Sequence, residues 1–234
     1  MPWISPASEQ PQRVRGVTVL QQPAAARLDS RNAALLTERS ARLARAGRRE
    51  QSLAAIERAV DVYQRLATAD AQAYEAELAR SLKALADRLA QAGRLEDALM
   101  ASERAVSVCR RLAAAHPADH EPELATSLNN LSVGLAKAGR HEDALAASEQ
   151  ALAIRRRLAQ HDPTMYEPSL WISLSNLHDR LRELGRDEHA RRVLAEAVTR
   201  RGHSREYLAR ADRDARRKRQ APANPAARPR VAAG

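Results

Sequence analysis

The chain has 234 residues of which 3% are aromatic, with no Phe, two Trp and four Tyr, so its core has to be built from Leu, Ala, Val and Ile, a composition that suits closely packed helices. Its single cysteine, Cys109, excludes an intramolecular disulfide and fits a reducing compartment. The net charge of +10 is uneven: residues 200–230 carry +8, leaving about +2 for residues 1–199, so the high isoelectric point belongs to the tail.

Residues 1–30, with Pro2, Pro6, Pro11 and Pro23 among Gln and Ser, read as disordered apart from a short strand within residues 13–20. This segment lacks the apolar core of a signal peptide, and no later stretch approaches the ~20 apolar residues of a membrane span. A cytoplasmic protein is expected. The basic residues are overwhelmingly Arg, with Lys only at Lys83, Lys137 and Lys218, which together with abundant Ala suggests a GC-rich bacterial genome.

From residue 31 the chain repeats. A Gly-Arg pair occurs at Gly47-Arg48, Gly93-Arg94, Gly139-Arg140 and Gly185-Arg186, 46 residues apart each time, with an acid three residues after each glycine at Glu50, Glu96, Glu142 and Glu188. Ahead of the later glycines runs a leucine ladder: Leu78, Leu82, Leu85, Leu89, then Leu124, Leu128, Leu131, Leu135, then Leu170, Leu174, Leu177, Leu181. Steps of four, three and four place those side chains on one stripe of a helix. A fixed period of this size means stacked helix-turn-helix units, each too small to bury its apolar face alone.

Copy one starts at Asp29 or Ser30, which can cap a helix over residues 31–46. Its ladder is degenerate, with Asn32 and Arg39 at leucine positions, as the open end of a stack requires. Each second helix repeats its own apolar set, Leu53, Val60, Val62 and Leu66 in copy one, then Leu99, Val106, Val108, Leu112, then Leu145, Leu152, Ile154, Leu158. Nine-residue connections are expected over 68–76, 114–122 and 160–168, with Pro122 and Pro168 in the first turn of the helices that follow. Cys109 falls where the neighbouring copies have Tyr63 and Arg155, which reads as a tolerated, partly exposed position. In copy four, Arg191, Arg200 and Ser204 replace apolar residues, so that helix has lost the side a fifth copy would cover, and Pro222, Pro225 and Pro229 forbid a fifth helix. The division is 1–30 disordered, four repeats at 31–76, 77–122, 123–168 and 169–203, and a tail 204–234 with one basic helix over 204–219 and disorder beyond it.

Residues 31–201 resemble tetratricopeptide repeats of the long-repeat variety similar to those of kinesin light chain and of actinobacterial regulatory proteins. The resemblance rests on Leu131, Ser132, Leu135, Gly139, Ala144 and Ala151 and their counterparts 46 residues to either side; Arg39, Ser52 and His178 depart from it. It implies an all-α, right-handed α-solenoid whose first helices line a concave groove that takes a protein partner or an extended peptide. Carried over by position, that groove presents Arg80, Lys83, Asp87, Asn129, Asn130, Val133, Lys137, Ile172, Asn176, Asp179 and Arg182. Asn130 and Asn176 stand one period apart, and an amide donates and accepts at once, which suits a peptide main chain. The plain alternative is a solvated helix face with no ligand. Arg48, Arg94, Arg140 and Arg186 read as structural, pairing with nearby acids or helix ends.

Chemistry of other kinds has no residues to stand on. The glycines form no phosphate loop, no serine or cysteine is flanked by a base at a recognisable spacing, and no cofactor is implied. His116 and His120 have the spacing of a metal pair, but Pro117 and the expected connection argue against a zinc site. The expectation is a non-enzymatic interaction scaffold, regulatory and monomeric. Two rivals stand beside it. One is nucleic-acid or acidic-partner binding through Arg216, Arg217, Lys218 and Arg219, a run that otherwise serves only to solvate the tail. The other is a detached repeat region that regulates a separately encoded enzyme or transcription regulator.

Overall fold

The computed structural model describes residues 13–14, 17–18 and 24–200. Two-residue strands β1 (Arg13–Val14) and β2 (Val17–Thr18) pair antiparallel, inside the segment expected to hold a strand. Every other described element is a helix: α1 (Ala24–Arg45), α2 (Arg49–Ala69), α3 (Ala71–Gln91), α4 (Leu95–Ala115), α5 (Pro117–Lys137), α6 (His141–His161), α7 (Pro163–Glu183), and α8, which covers residues 187–200. The chain divides into two compact units, Met1–Leu112 and Ala113–Gly234, and each is a stack of helix-turn-helix repeats of the α-solenoid class.

The four Gly-Arg turns share one hydrogen-bond pattern. At Gly139, φ is +76°, its N–H donates to the Ala136 carbonyl at 3.0 Å, and the Arg140 N–H donates to the Leu135 carbonyl at 2.9 Å. This is a Schellman ending, which satisfies the last carbonyls of the first helix and favours glycine because φ is positive. Arg140 is at the same time the N-cap residue of α6, since its carbonyl accepts from the Ala144 N–H at 2.9 Å. One dipeptide therefore ends one helix and starts the next.

The connections between repeats are shorter than expected. Single residues, Asp70, His116 and Asp162, separate α2 from α3, α4 from α5 and α6 from α7. Asp70 and Asp162 reverse the chain by capping: their Oδ1 atoms accept from the Ala73 and Met165 N–H groups at 3.0 and 2.9 Å. Pro117 and Pro163 take the first helical position, whereas Pro122 and Pro168 lie inside α5 and α7. Each of these interior prolines removes one helical hydrogen bond near the helix start, a loss that the rest of a 21-residue helix outweighs. Similarly, α1 begins at Ala24, seven residues before the expected start, because Ala24, Ala25 and Ala26 are strong helix formers and Asp29 and Ser30 sit inside the helix rather than capping it.

In the first unit α1 packs on α2 and α2 on α3, over a core that includes Ile56, Val60, Leu78, Leu82 and Leu85. Ser40 and Ser52 explain one departure from the repeat pattern: each hydroxyl donates to the other residue's carbonyl at 2.8 Å, which lets α1 and α2 approach closely with both hydroxyls bonded. Cys109 is fully buried rather than partly exposed, and Tyr63 and Arg155 one period away are also buried. Three unlike side chains fill one interior position, so variety along the repeat does not mean exposure there.

In the second unit α5 packs on α6 and α6 on α7, and α5 also touches α7. Leu145, Leu152 and Ala159, spaced seven apart on α6, meet the α7 ladder Leu170, Leu174, Leu177 and Leu181, while Ala190, Val193 and Ala197 seat α8 on the same core. Terminal helices are less polar outside than their sequence suggested. Asn32 and Arg39 are exposed on α1, but so are Leu28 and Leu35, and α8 exposes Leu194 and Val198. Arg191 and Arg200 make α8 more polar, but Leu194 and Val198 between them keep an apolar strip in solvent.

Candidate functional site

In the second unit, the α5/α7 face brings several of the expected site residues onto neighbouring helices. The two helices are tied by Asn129, whose Nδ2 donates to the Ser173 Oγ at 2.8 Å, and by Arg180, whose Nη1 donates to the Ser132 carbonyl at 3.4 Å. Asn129 is therefore not a surface residue of the groove: it is 7% exposed, and its Oδ1 is buried without a hydrogen-bond partner. Its neighbour Asn130 is exposed, as are Val133 and Lys137 one and two turns on. On α7, Ile172, Asp179 and Arg182 are exposed and Asn176 is half-buried. The outcome is two amides at one repeat position, flanked by two apolar side chains with 36% (Val133) and 51% (Ile172) of their surface in solvent.

Charges around this face are mostly committed. Arg180 pairs with Glu183 at 2.7 Å, Glu183 also meets His141 Nδ1 at 3.2 Å, and Arg182 pairs with Asp187 at 3.4 Å. Asp179 lies 3.1 Å from His178 Nδ1. Of the residues expected on the face, Lys137 contributes the main positive charge and Asp179 the negative one, so the patch has little net charge.

Arg80, Lys83 and Asp87 lie on α3 of the first unit. Arg80 is ion-paired with Glu77 on its own helix. Lys83 is half-buried and Asp87 keeps contact with solvent, and partial burial lowers the Lys83 amine pKa and raises that of the Asp87 carboxyl. Three of the four repeating arginines pair with acids of the repeats: Arg94 with Asp97 at 2.6 Å, Arg140 with Asp143 at 2.8 Å, and Arg186 with Glu142 at 2.8 Å.

His116 caps α5 and His120 lies in its first turn, their ring centroids 6.4 Å apart. Among the described residues no group of three or more His, Cys, Asp or Glu is placed to hold a metal ion. No described helix is long and apolar enough to cross a membrane. The run Arg216, Arg217, Lys218 and Arg219 lies outside the described residues.

The tetratricopeptide repeat family model matches residues 77–157, which spans α3 to most of α6. No curated protein matches the chain. Among solved structures, the chain is similar to BtubC (BKLC) from P. vanneervenii with a TM-score of 0.62 at 22% identity, over 73% of this chain and 63% of that one. It is similar to aspartyl phosphate phosphatase F from Bacillus subtilis with a TM-score of 0.59 at 16% identity, over 75% of this chain and 42% of that one. MamA matches with a TM-score of 0.52 at 13% identity, over 78% of this chain and 86% of that one. The chain thus spans less than two thirds of the first two, and at these identities the likeness is one of fold.

Proposed function

We propose that this chain, a tetratricopeptide-repeat protein, is a regulatory scaffold that holds an extended segment of a partner protein against the α5/α7 face. Tetratricopeptide repeats in general bind proteins and are not themselves catalysts, so the coarse function follows from the family and the finer one from the face. The observation that carries the finer reading is the pair Asn130 and Asn176, one period apart on adjacent helices, with Val133 and Ile172 exposed beside them. An amide can pair with both the N–H and the C=O of an extended main chain, and the two apolar side chains offer contact area for a partner side chain. Low net charge on the face favours an uncharged segment over a strongly acidic or basic one.

The test is capture of partners from lysate of the source cell by the full chain and by an Asn130→Ala, Asn176→Ala double variant. Both positions keep contact with solvent, so the double variant should match the parent in circular dichroism and urea midpoint. A protein recovered by the parent and lost from the variant supports the reading. Equal recovery by both would refute it.

A further inference from the structure

Positive charge among the described residues gathers on α1 and the turn after it. Residues 24–50 hold seven Arg against three acids, a net of +4, whereas residues 51–200 hold 20 basic residues against 22 acids, a net of −2. Sign changes at equivalent positions produce the difference: Arg31 stands where α3 and α5 have Glu77 and Glu123, Arg27 where α5 has Asp119, and Gln51 where two later turns have Asp97 and Asp143. Many arginines of the later helices are neutralised, as in Arg111 with Glu75 and Arg157 with Glu121, both at 2.6 Å. By contrast, Arg31, Arg39, Arg42, Arg45, Arg48 and Arg49 are exposed, and none of them forms an ion pair among the described residues. Arg48 shows the cause, since Arg94 and Arg140 pair with an acid three residues on and Gln51 takes that place in copy one.

We propose that this face of α1 binds the phosphate backbone of duplex DNA, independently of base sequence. At about 100° per residue, Arg27, Arg31, Arg42 and Arg45 fall within an arc of about 60° and span about 27 Å of the helix. A terminal helix needs only a polar outer side, and either sign of charge would serve. One sign in a row calls for an anion charged along its whole length. Duplex DNA carries about one negative charge per 1.7 Å of axis, and the guanidinium fork matches phosphate oxygens. Single strands are held by stacking on aromatic rings, and residues 24–50 contain none. Duplex RNA is recognised through its 2′-hydroxyls, for which Asn32 is the one exposed uncharged polar side chain on α1. An anionic membrane would take in a wide apolar face, but α1 packs its inner side on α2 and leaves Leu28 and Leu35 as its large apolar residues in solvent.

Binding of the full chain to a random-sequence DNA duplex, followed by fluorescence anisotropy at salt concentrations between about 50 and 200 mM, tests the proposal. Four phosphate contacts contribute about 3.6 to the slope of log affinity against log salt, which amounts to about 150-fold in affinity across that range. A variant with Arg27→Gln, Arg31→Gln, Arg42→Gln and Arg45→Gln should therefore have a slope shallower by about 3 and bind at least about tenfold more weakly at the low-salt end. All four side chains are exposed, so its circular dichroism and urea midpoint should match the parent's. Lys at the same four positions keeps the charges and should keep the slope. Making each comparison again in a chain with Arg216→Gln, Arg217→Gln, Lys218→Gln and Arg219→Gln prevents the tail from masking α1. The proposal is overturned if the parent does not bind the duplex at the low-salt end, or if the Gln variant keeps the slope of its background chain. Tighter binding of the parent to duplex RNA, to phosphatidylserine vesicles or to poly-glutamate would also overturn it, since the anion would then be of another class.

Discussion

Gly139→Ala isolates the conformational cost of the turn on which each repeat depends. Gly139 has φ +76°, and a Cβ placed on it meets nothing within 4 Å, so alanine brings strain without a clash. The left-handed conformation costs an L-residue about 1–2 kcal/mol. Against this, alanine restricts the unfolded chain relative to glycine, which returns about 0.4–1 kcal/mol. The net loss should be about 1 kcal/mol. With a urea m-value of about 2 kcal/mol/M, the midpoint should fall by about 0.5 M in a titration of the full chain followed by circular dichroism, with the m-value unchanged. Gly139→Asn should lose less, because a short polar side chain tolerates this region. An unchanged or higher midpoint for Gly139→Ala would refute the argument, since the turn would then not demand positive φ. A loss of more than about 3 kcal/mol would refute it from the other side by implying contacts that the open surroundings of Gly139 exclude.

Arg155 is 7% exposed, and its Nη2 donates to the Pro122 carbonyl and to Thr126 Oγ1 at 2.9 and 2.5 Å while its Nε has no partner; burial holds its pKa below the usual arginine value. Thr126 Oγ1 also donates to the Pro122 carbonyl at 3.0 Å, so Arg155→Met leaves that carbonyl bonded and should be neutral or stabilising, by up to ~4 kcal/mol in the urea midpoint; a loss above ~2 kcal/mol would show that the guanidinium holds α5 to α6. Glu196 is partly buried, which raises its pKa, but hydrogen bonds and charge attraction from Arg156 and Arg200 outweigh this and lower it from 4.5. A depressed folded pKa means that the stabilisation is present above the unfolded value and is lost as pH falls through the folded one. Glu196→Gln should therefore cost stability at neutral pH and progressively less as pH falls below 4.5 and through the folded value; stability curves for variant and parent that stay parallel on acidification would contradict the assignment.

The period made the fold legible because core residues repeat their chemistry as well as their spacing. Leu82, Leu128 and Leu174 are one period apart and all almost fully buried, and the four glycines share one backbone conformation. Boundaries were harder to read, since composition argues about residues one at a time. The prolines near 117–122 and 163–168 suggested loops, yet a proline at the first position starts a helix and one a turn later merely weakens it. A long helix absorbs signals that would break a short one.

Face, by contrast, is not a property of a repeat position alone. Asn129 and Asn130 are adjacent and chemically identical, and only the second reaches solvent, because the helix turns about 100° between them. Sequence offered no means of choosing, since the counterparts of Asn129 are Lys83 and Ser175, both polar and both half-buried. Cys109 errs in the other direction: Tyr63 and Arg155 share its position and are polar or charged, yet all three are interior, Tyr63 donating to the Ser30 carbonyl on α1 and Arg155 to the Pro122 carbonyl on α5. A period thus finds which residues are equivalent, and burial then depends on what neighbouring helices place against them. Solvent-facing positions have no packing neighbour to enforce a residue type, which is why the α5/α7 face had to be read from the folded chain, and why Asn130 and Asn176, the same residue at the same position without that enforcement, are the ones to mutate first.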